Sequence, residues 1–461
     1  MGISFDRFKS WVKKVSAVPV KVDTKVKEEE KEELLISSLA LDAKNLLYDL
    51  HQSMDARPAA SKESRKAARE ISSIFSKYVD DNDVTITSSR IYTSVSKGVF
   101  ISLLIVSPLS FLLLLFNMPL LSFALVLAWC VAVILQIKGK KNIFKMLMPS
   151  DESANVHAVI EPEELVEQTI VFSAHHDSGV ENKVHGFFSL RNFSLFFLPV
   201  IGISLLLGIS VYMVIRDFLH SMWSISVQTW PIVLLSIVGV ALTYTTLMYM
   251  KNLGCDYING AGDDLAGVSI VVQLLRYFSS RKKNGKGLKH TRLIFTSFDG
   301  EECNAQGSDA WYKSNARLLV DARNVNINGI YKVEDLVLLT MDGNGVVPLS
   351  SAVAKRCSSI ASSLGYKIPL GRITILAGTT DAVSAARNGV KATTLTSMKL
   401  DVKTPAHTKE DTPDVVELDA LSAAISVAIK YAESEDEAFE MRKESDNVSF
   451  LDQDRKYKLT K

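Results

Sequence analysis

Long uncharged apolar stretches interrupt an otherwise alternating chain. Between Lys97 and Lys138 no charged residue occurs, and Asn117-Met118-Pro119 supplies a tight turn midway. That stretch predicts two helices of about 20 residues, each just long enough to cross a bilayer at ~1.5 Å per residue. A second interruption contains the uncharged runs Asn192 to Ile215 and Trp230 to Met250, joined by a loop with His220 and Trp223. Core helices seldom run so far without a charge. The expectation is two transmembrane hairpins, four spans in all, over 97–138 and 187–251. Two spans plus a re-entrant hairpin is the alternative.

Elsewhere the pattern is that of a soluble fold. Leu34 to Val79 reads as helix, with Ala67, Ile71, Ile74, Phe75 and Tyr78 on one face. Asp83 to Thr93 alternates like a strand. The apolar run Thr169 to Phe172 predicts a core strand that delivers His175, His176 and Asp177 at its end. Gly260 to Gly267 opens a helix in which Leu265, Val268, Val272, Leu275 and Phe278 recur. Arg281 to Lys289 reads as a basic loop. Leu293 to Phe298 is a strand ending in Asp299-Gly300-Glu301-Glu302, and Leu336 to Met341 one ending in Asp342-Gly343. A helix over Ser351 to Leu364 and a strand over Ile373 to Ala377 follow. Asp381 to Arg387 predicts a short helix closed by Asn388-Gly389, Lys391 to Thr396 a strand, and Val415 to Tyr431 the last helix. The charged tail from Glu433 is expected to be mobile. Alternating strands and helices place 34–96, 139–186 and 252–433 in one α/β unit, a mixed sheet flanked by helices, with 434–461 as tail.

Charge refines this picture. A net charge of +1 gives no bulk electrostatic case for nucleic acid. The four cysteines show neither metal-site spacing nor a disulfide framework. No secretory signal is expected at the start. Instead residues 1–33 open with Ile3, Phe5, Phe8, Trp11, Val12 and Val15 at helical spacing among Arg7, Lys9, Lys13 and Lys14. Such a basic amphipathic segment suits a membrane interface, the surface of its own domain, or a disordered arm. Lys97, Lys138, Lys140, Lys141, Lys145, Arg191 and Lys251 flank the hairpins on the domain side, against Arg216 alone on the far side. By the positive-inside rule the polar portions and both termini are expected to be cytoplasmic.

Acid and imidazole groups collect at the predicted strand ends: His175 and Asp177, Asp263 and Asp264, Glu301 and Glu302, Asp342, and His407 in a later loop. Imidazole with carboxylate suits zinc. Each group also has a bland reading. Asp263 or Asp264 suits a helix cap, Glu301-Glu302 a solvated pair, and His407 a loop contact. Their shared location favours one site, because α/β sheets bind ligands at the carboxyl ends of their strands.

The order His175-His176-Asp177-Ser178, Asp263-Asp264-Leu265-Ala266-Gly267, Glu301-Glu302, Asp342, His407 resembles that of the M28 zinc aminopeptidases. The resemblance implies two zinc ions bridged by Asp263, with His175 and Asp342 completing one and Glu302 and His407 the other. It implies that Asp177 holds the His175 ring and that Glu301 is general base, then general acid. Three ligating carboxylates plus a hydroxide would balance two Zn²⁺, which matters because uncompensated buried charge is costly. His176 takes no ligand role. Where the family often has Asp-His, this chain has Asp381-Ala382. The second hairpin joins Asp177 to Asp263, so the site is expected close to the bilayer, acting on peptides. A glutaminyl cyclase and an inactive membrane scaffold are the competing readings. Oligomeric state is open.

Overall fold

The computed structural model describes residues 24–93, 95–137, 143–181, 190–220, 256–343, 345–373, 378–398 and 404–459, with short pieces between 234 and 247. The amphipathic pattern at the amino terminus lies outside them, as does most of the predicted span from Trp230 to Met250.

The helical stretch at the start divides into α1 (Thr24–Ser53) and α2 (Lys62–Phe75). Helix α2 begins where Ser61 accepts the backbone N–H of Ser64, and it buries Ala67, Ala68, Ile71 and Phe75. β1 (Val84–Ile91) leads into two apolar helices, α3 (Val95–Leu115) and α4 (Pro119–Ile137). β2 (Asp151–Ile160) and β3 (Gln168–His175) precede a third, α5 (Leu190–His220). The chain then alternates through α6 (Ala266–Lys283), β4 (Thr291–Phe298), α7 (Gln306–Ser314), β5 (Arg323–Ile327) and β6 (Val337–Leu339). A small hairpin of β7 (Met341–Asp342) and β8 (Val347–Pro348) leads to α8 (Ser351–Ser363) and β9 (Leu370–Gly371). α9 (Asp381–Arg387), β10 (Lys391–Thr396) and α10 (Leu418–Leu459) complete the chain.

The mixed sheet is eight-stranded, ordered β1-β2-β4-β3-β5-β10-β6-β9. Its centre, β4-β3-β5-β10, is parallel, and β1 and β2 extend one edge antiparallel. On one face Leu47 of α1, Leu274 of α6 and Ala424 of α10 close over Phe172 and Phe295. On the other, Trp311 and Tyr312 of α7 and Ala385 of α9 pack on Val171 and Phe298.

Three expectations change, and a fourth lies mostly outside the described residues. The strand predicted over Leu336 to Met341 breaks into β6 and the separate β7–β8 hairpin. The strand predicted over Ile373 to Ala377 falls mostly outside the described residues, and β9 borders β6 instead. Helix α6 runs into the predicted basic loop as far as Lys283. The tail is not loose from Glu433: α10 continues to Leu459. Its acids are used, since Asp436 accepts the backbone N–H groups of Lys289 and His290 at 2.8 and 2.9 Å and the hydroxyl of Thr291 at 2.7 Å. Glu433 accepts Tyr277 Oη at 2.9 Å and pairs with Arg281. Strands β2 and β5 were not anticipated. Polar residues such as Asn155 and His157, and Asn324 and Asn326, hide them among the apolar core strands.

Helices α3, α4 and α5 are long and apolar enough to cross a membrane, with windows at 98–115, 119–136 and 200–219 of mean hydropathy 2.5, 2.2 and 1.8. A third or less of each window is buried by protein, so the remaining surface is apolar and outward-facing. Ile105, Leu109, Leu121 and Tyr212 are among these exposed residues. Several polar groups point inward and pair with one another. Ser122 bridges Ser110 at 2.7 Å and Ser210 at 3.0 Å, and Trp129 donates to Ser102 at 2.8 Å. Hydrocarbon offers no partner to a hydroxyl, and the pairing removes that cost.

Candidate metal centre

The register of the parallel strands brings the site together. His175 pairs with Phe298 across β3–β4, and Ser173 with Asn326 across β3–β5. Two residues further on, His175 and Asn328 therefore lie side by side, level with the loop that follows Phe298. Side chains two apart share a face of the sheet, so both point the same way.

His175 is fully buried. Its Nδ1 lies 3.0 Å from the Asp177 carbonyl oxygen and 3.4 Å from Asp177 Oδ1, so the ring proton belongs on Nδ1. The Nε2 lone pair then faces Asp263 Oδ1 at 3.2 Å. The other oxygen of the same carboxylate, Asp263 Oδ2, lies 3.3 Å from His407 Nε2, and Glu302 Oε1 lies 3.5 Å from that nitrogen. Asp263 thus stands between two imidazoles with one oxygen toward each.

The donors fit zinc. Ligand atoms of Asp263, Glu302 and His407 all lie within 4.8 Å of one another. Bonds of about 2.0–2.2 Å in a tetrahedron separate neighbouring ligands by ~3.3–3.6 Å. The observed 3.3 and 3.5 Å from His407 agree with that. Charge points the same way. Burial opposes a proton on His175, but Glu301, Asp177 and Asp263 outweigh it and raise its pKa. Glu302 chiefly raises that of His407. Burial lifts Glu302 to about 7 and Glu301 well above the usual carboxylate range. The pocket attracts positive charge.

Backbone supports hold these groups. Asp411 accepts the N–H of Gly262 at 2.7 Å and of Asp263 at 3.3 Å, and the Tyr331 hydroxyl at 3.1 Å. Gly262 has no room for a Cβ, which would collide with the Tyr331 ring. Asp264 faces away from the cluster and accepts the N–H groups of His175, Gly267 and Gly329, each at 3.2 Å. Of the two adjacent acids, Asp264 therefore serves as the cap and brace and Asp263 as the open donor. Buried Arg57 donates to the His176 carbonyl at 2.7 Å and to the Asn259 carbonyl at 2.6 Å. Burial lowers its pKa to about 10, so it stays charged at neutral pH. The His176 ring meets Ser297 Oγ at 2.9 Å, and burial depresses its pKa to about 3. It stays clear of the cluster.

Asp342 does not join the cluster. Its carboxylate accepts Thr380 Oγ1 at 2.6 Å and the N–H of Gly343, and burial raises its pKa to about 6. β6 stops at Leu339, so Asp342 sits in the β7–β8 hairpin away from the strand ends. The position beside His175 belongs to Asn328, which the sequence reading missed. The alternation Asn324-Val325-Asn326-Ile327-Asn328 was the signal that could have revealed it.

These residues line a cavity of about 520 Å³ that contains Asp263, Glu301, Glu302, Asn328 and His407, with Arg372 and Met398 farther out. Glu301 is only 8% exposed, with Oε1 3.3 Å from Asn328 Nδ2 and Oε2 3.9 Å from His175 Nε2. Adjacent glutamates can face different partners because the loop after Gly300 (φ +84°) turns through Asn304 and Ala305, both at positive φ.

A family model described as peptidase family M28 matches residues 245–432. Among solved structures, the aminopeptidase from Aneurinibacillus sp. strain AM-1 is 14% identical, with a TM-score of 0.48, covering 86% of this chain and 95% of that one. The zinc aminopeptidase from Bacillus subtilis is 13% identical, with a TM-score of 0.48 and coverage of 85% and 95%. The glutaminyl cyclase of Porphyromonas gingivalis is 11% identical, with a TM-score of 0.48 and coverage of 86% and 98%. Asp263, Glu302 and His407 all lie inside the stretch that matches peptidase family M28.

Proposed function

We propose that this chain is a membrane-anchored aminopeptidase that removes amino-terminal residues from peptides at the cytoplasmic face of a bilayer, using two zinc ions. The observation that carries the reading is the Asp263 carboxylate between His175 and His407. Asp263, Glu302 and His407 would hold one zinc, and His175 together with Asp263 the other. Bound zinc lowers the pKa of water toward about 7 and polarises a carbonyl.

The chain's own groups do the rest. Glu301 is the general base: it takes a proton from the attacking water and returns it to the leaving amine. Burial favours its protonated form, which suits the second of these tasks. Asp177 orients the His175 ring and, through the Glu301 and Glu302 backbone, both glutamates.

Residues that precede two of the apolar helices in the chain touch this site or its glutamate loop, which supports membrane-associated peptides as substrates. Gln306 donates to the Tyr92 carbonyl at 2.9 Å and accepts its N–H at 3.1 Å, just before α3 and just after the glutamate loop. Val180, on the segment leading toward α5, has its carbonyl 3.3 Å from His407 Nδ1. The lysine and arginine flanks support a cytoplasmic position for this face.

The test is hydrolysis of aminoacyl chromogenic substrates and cyclisation of Gln-initiated peptides by the purified chain, with and without chelator. Chelator-sensitive hydrolysis supports the proposal, and cyclisation alone contradicts it. Glu301→Gln should keep its zinc and lose at least ~10²-fold in kcat. Glu302→Gln should lose zinc. Reversal of those two phenotypes removes the assigned roles.

A further inference from the structure

The two halves of the metal centre are chemically unequal. On one side of Asp263 stand a carboxylate and an imidazole, Glu302 and His407. On the other stand His175 and, beside it, the neutral amide of Asn328. Asn328 is 1% exposed. Its Nδ2 donates to Glu301 Oε1 at 3.3 Å, which leaves the amide oxygen on the other side. The oxygen, Asn328 Oδ1, is buried and has no hydrogen-bond partner. A buried amide oxygen without a partner is costly, and a cation at the cavity wall would satisfy it.

Resting on the two-zinc reading, we infer that the centre binds its ions in sequence. One is held tightly by Asp263, Glu302 and His407, and a second loosely by His175, Asp263 and the Asn328 amide oxygen. Charge is the reason. With Asp342 turned away, two ligating carboxylates face two Zn²⁺, so the second ion enters a buried site that is already electrically satisfied. An amide oxygen supplies a dipole but no neutralising charge. Buried charge left uncompensated is expensive, and that expense falls on the weaker site. Glu301 does not make up the deficit, because it must stay free to carry a proton and its carboxylate is engaged by Asn328.

The experiment is zinc content by elemental analysis after dialysis against a graded zinc buffer, together with calorimetric zinc titration of the full-length chain in detergent. The wild type should retain one zinc and take up a second at least about tenfold more weakly. Asn328→Asp adds the missing carboxylate and should bring the second affinity toward the first. Asn328→Ala should abolish the second event and leave the first. Asp342→Asn should change neither. Two equally tight ions in the wild type, or an Asn328→Asp titration that matches the wild type, overturns the inference. A chain that binds no zinc, or whose tight ion survives Glu302→Gln, instead overturns the metal reading beneath it. Circular dichroism of each variant separates these outcomes from misfolding.

Discussion

Asp177 Oδ2 accepts the backbone N–H of Glu302 at 3.1 Å. Its partner oxygen, Oδ1, accepts the N–H of Glu301 at 3.2 Å and faces His175 Nδ1 at 3.4 Å. One carboxylate therefore sets the imidazole tautomer and the position of both glutamates. In Asp177→Asn one of those oxygens becomes an N–H donor, aimed at a backbone N–H or at the His175 ring. Catalytic efficiency should fall ~10–100-fold, as for other groups that orient metal ligands, with far-UV circular dichroism unchanged. Full activity in this variant would show that the glutamate loop holds its shape without the bond.

Gly179 leaves no space beside the site. A Cβ there would come within 2.5 Å of Glu302 Oε1 and closer still to the His407 ring. Gly179→Ala should push those two donors apart and weaken the tight zinc at least about tenfold, measured by competition with a chelating dye. Unchanged affinity would mean that the His407 loop yields without disturbing the ligands.

The membrane topology is open to labelling. Phe218, at the end of α5, is 84% exposed. A cysteine placed there should react with an impermeant thiol reagent from outside sealed cells, above the signal of the parent chain. Cysteines at Lys286 or Lys409 should react only after permeabilisation. The opposite pattern reverses the orientation and removes the cytoplasmic active site.

Stability should depend on pH through His157, away from the metal centre. Its ring accepts Trp311 Nε1–H at 3.1 Å, and burial lowers its pKa from 6.5 to about 4. The unfolded chain binds this proton near 6.5 and the folded chain only near 4, so protonation favours unfolding in between. Stability is full above pH 6.5 and should fall as pH drops toward 4, by up to about 3 kcal/mol. His157→Asn keeps an acceptor for Trp311 and has no titrating group. Its melting temperature should fall less than that of the wild type between pH 7 and pH 5. Parallel curves would assign the acid sensitivity to other groups.

Much of this molecule is written locally in its chain. Apolar runs such as Thr169 to Phe172 can only be buried, so the core strand and the acids at its end were legible. The uncharged stretches were legible for the same reason, and three of them form apolar helices of membrane-spanning length. His175, Asp263, Glu302 and His407 were singled out by residue type and by order, and the fold sets Asp263 against both imidazoles and Glu302 against His407. Which neighbours share the site was not local information. Two of the five residues of β5 are asparagines, so it reads as polar, yet both bond to β3: Asn324 donates to the Val171 carbonyl at 3.1 Å, and Asn326 accepts from Ser173 at 2.7 Å. Only the register of β5 against β3 puts Asn328 beside His175. Only the early end of β6 turns Asp342 toward Thr380 instead. A side chain's chemistry travels with the residue, whereas its partners are set by pairing between strands distant in sequence.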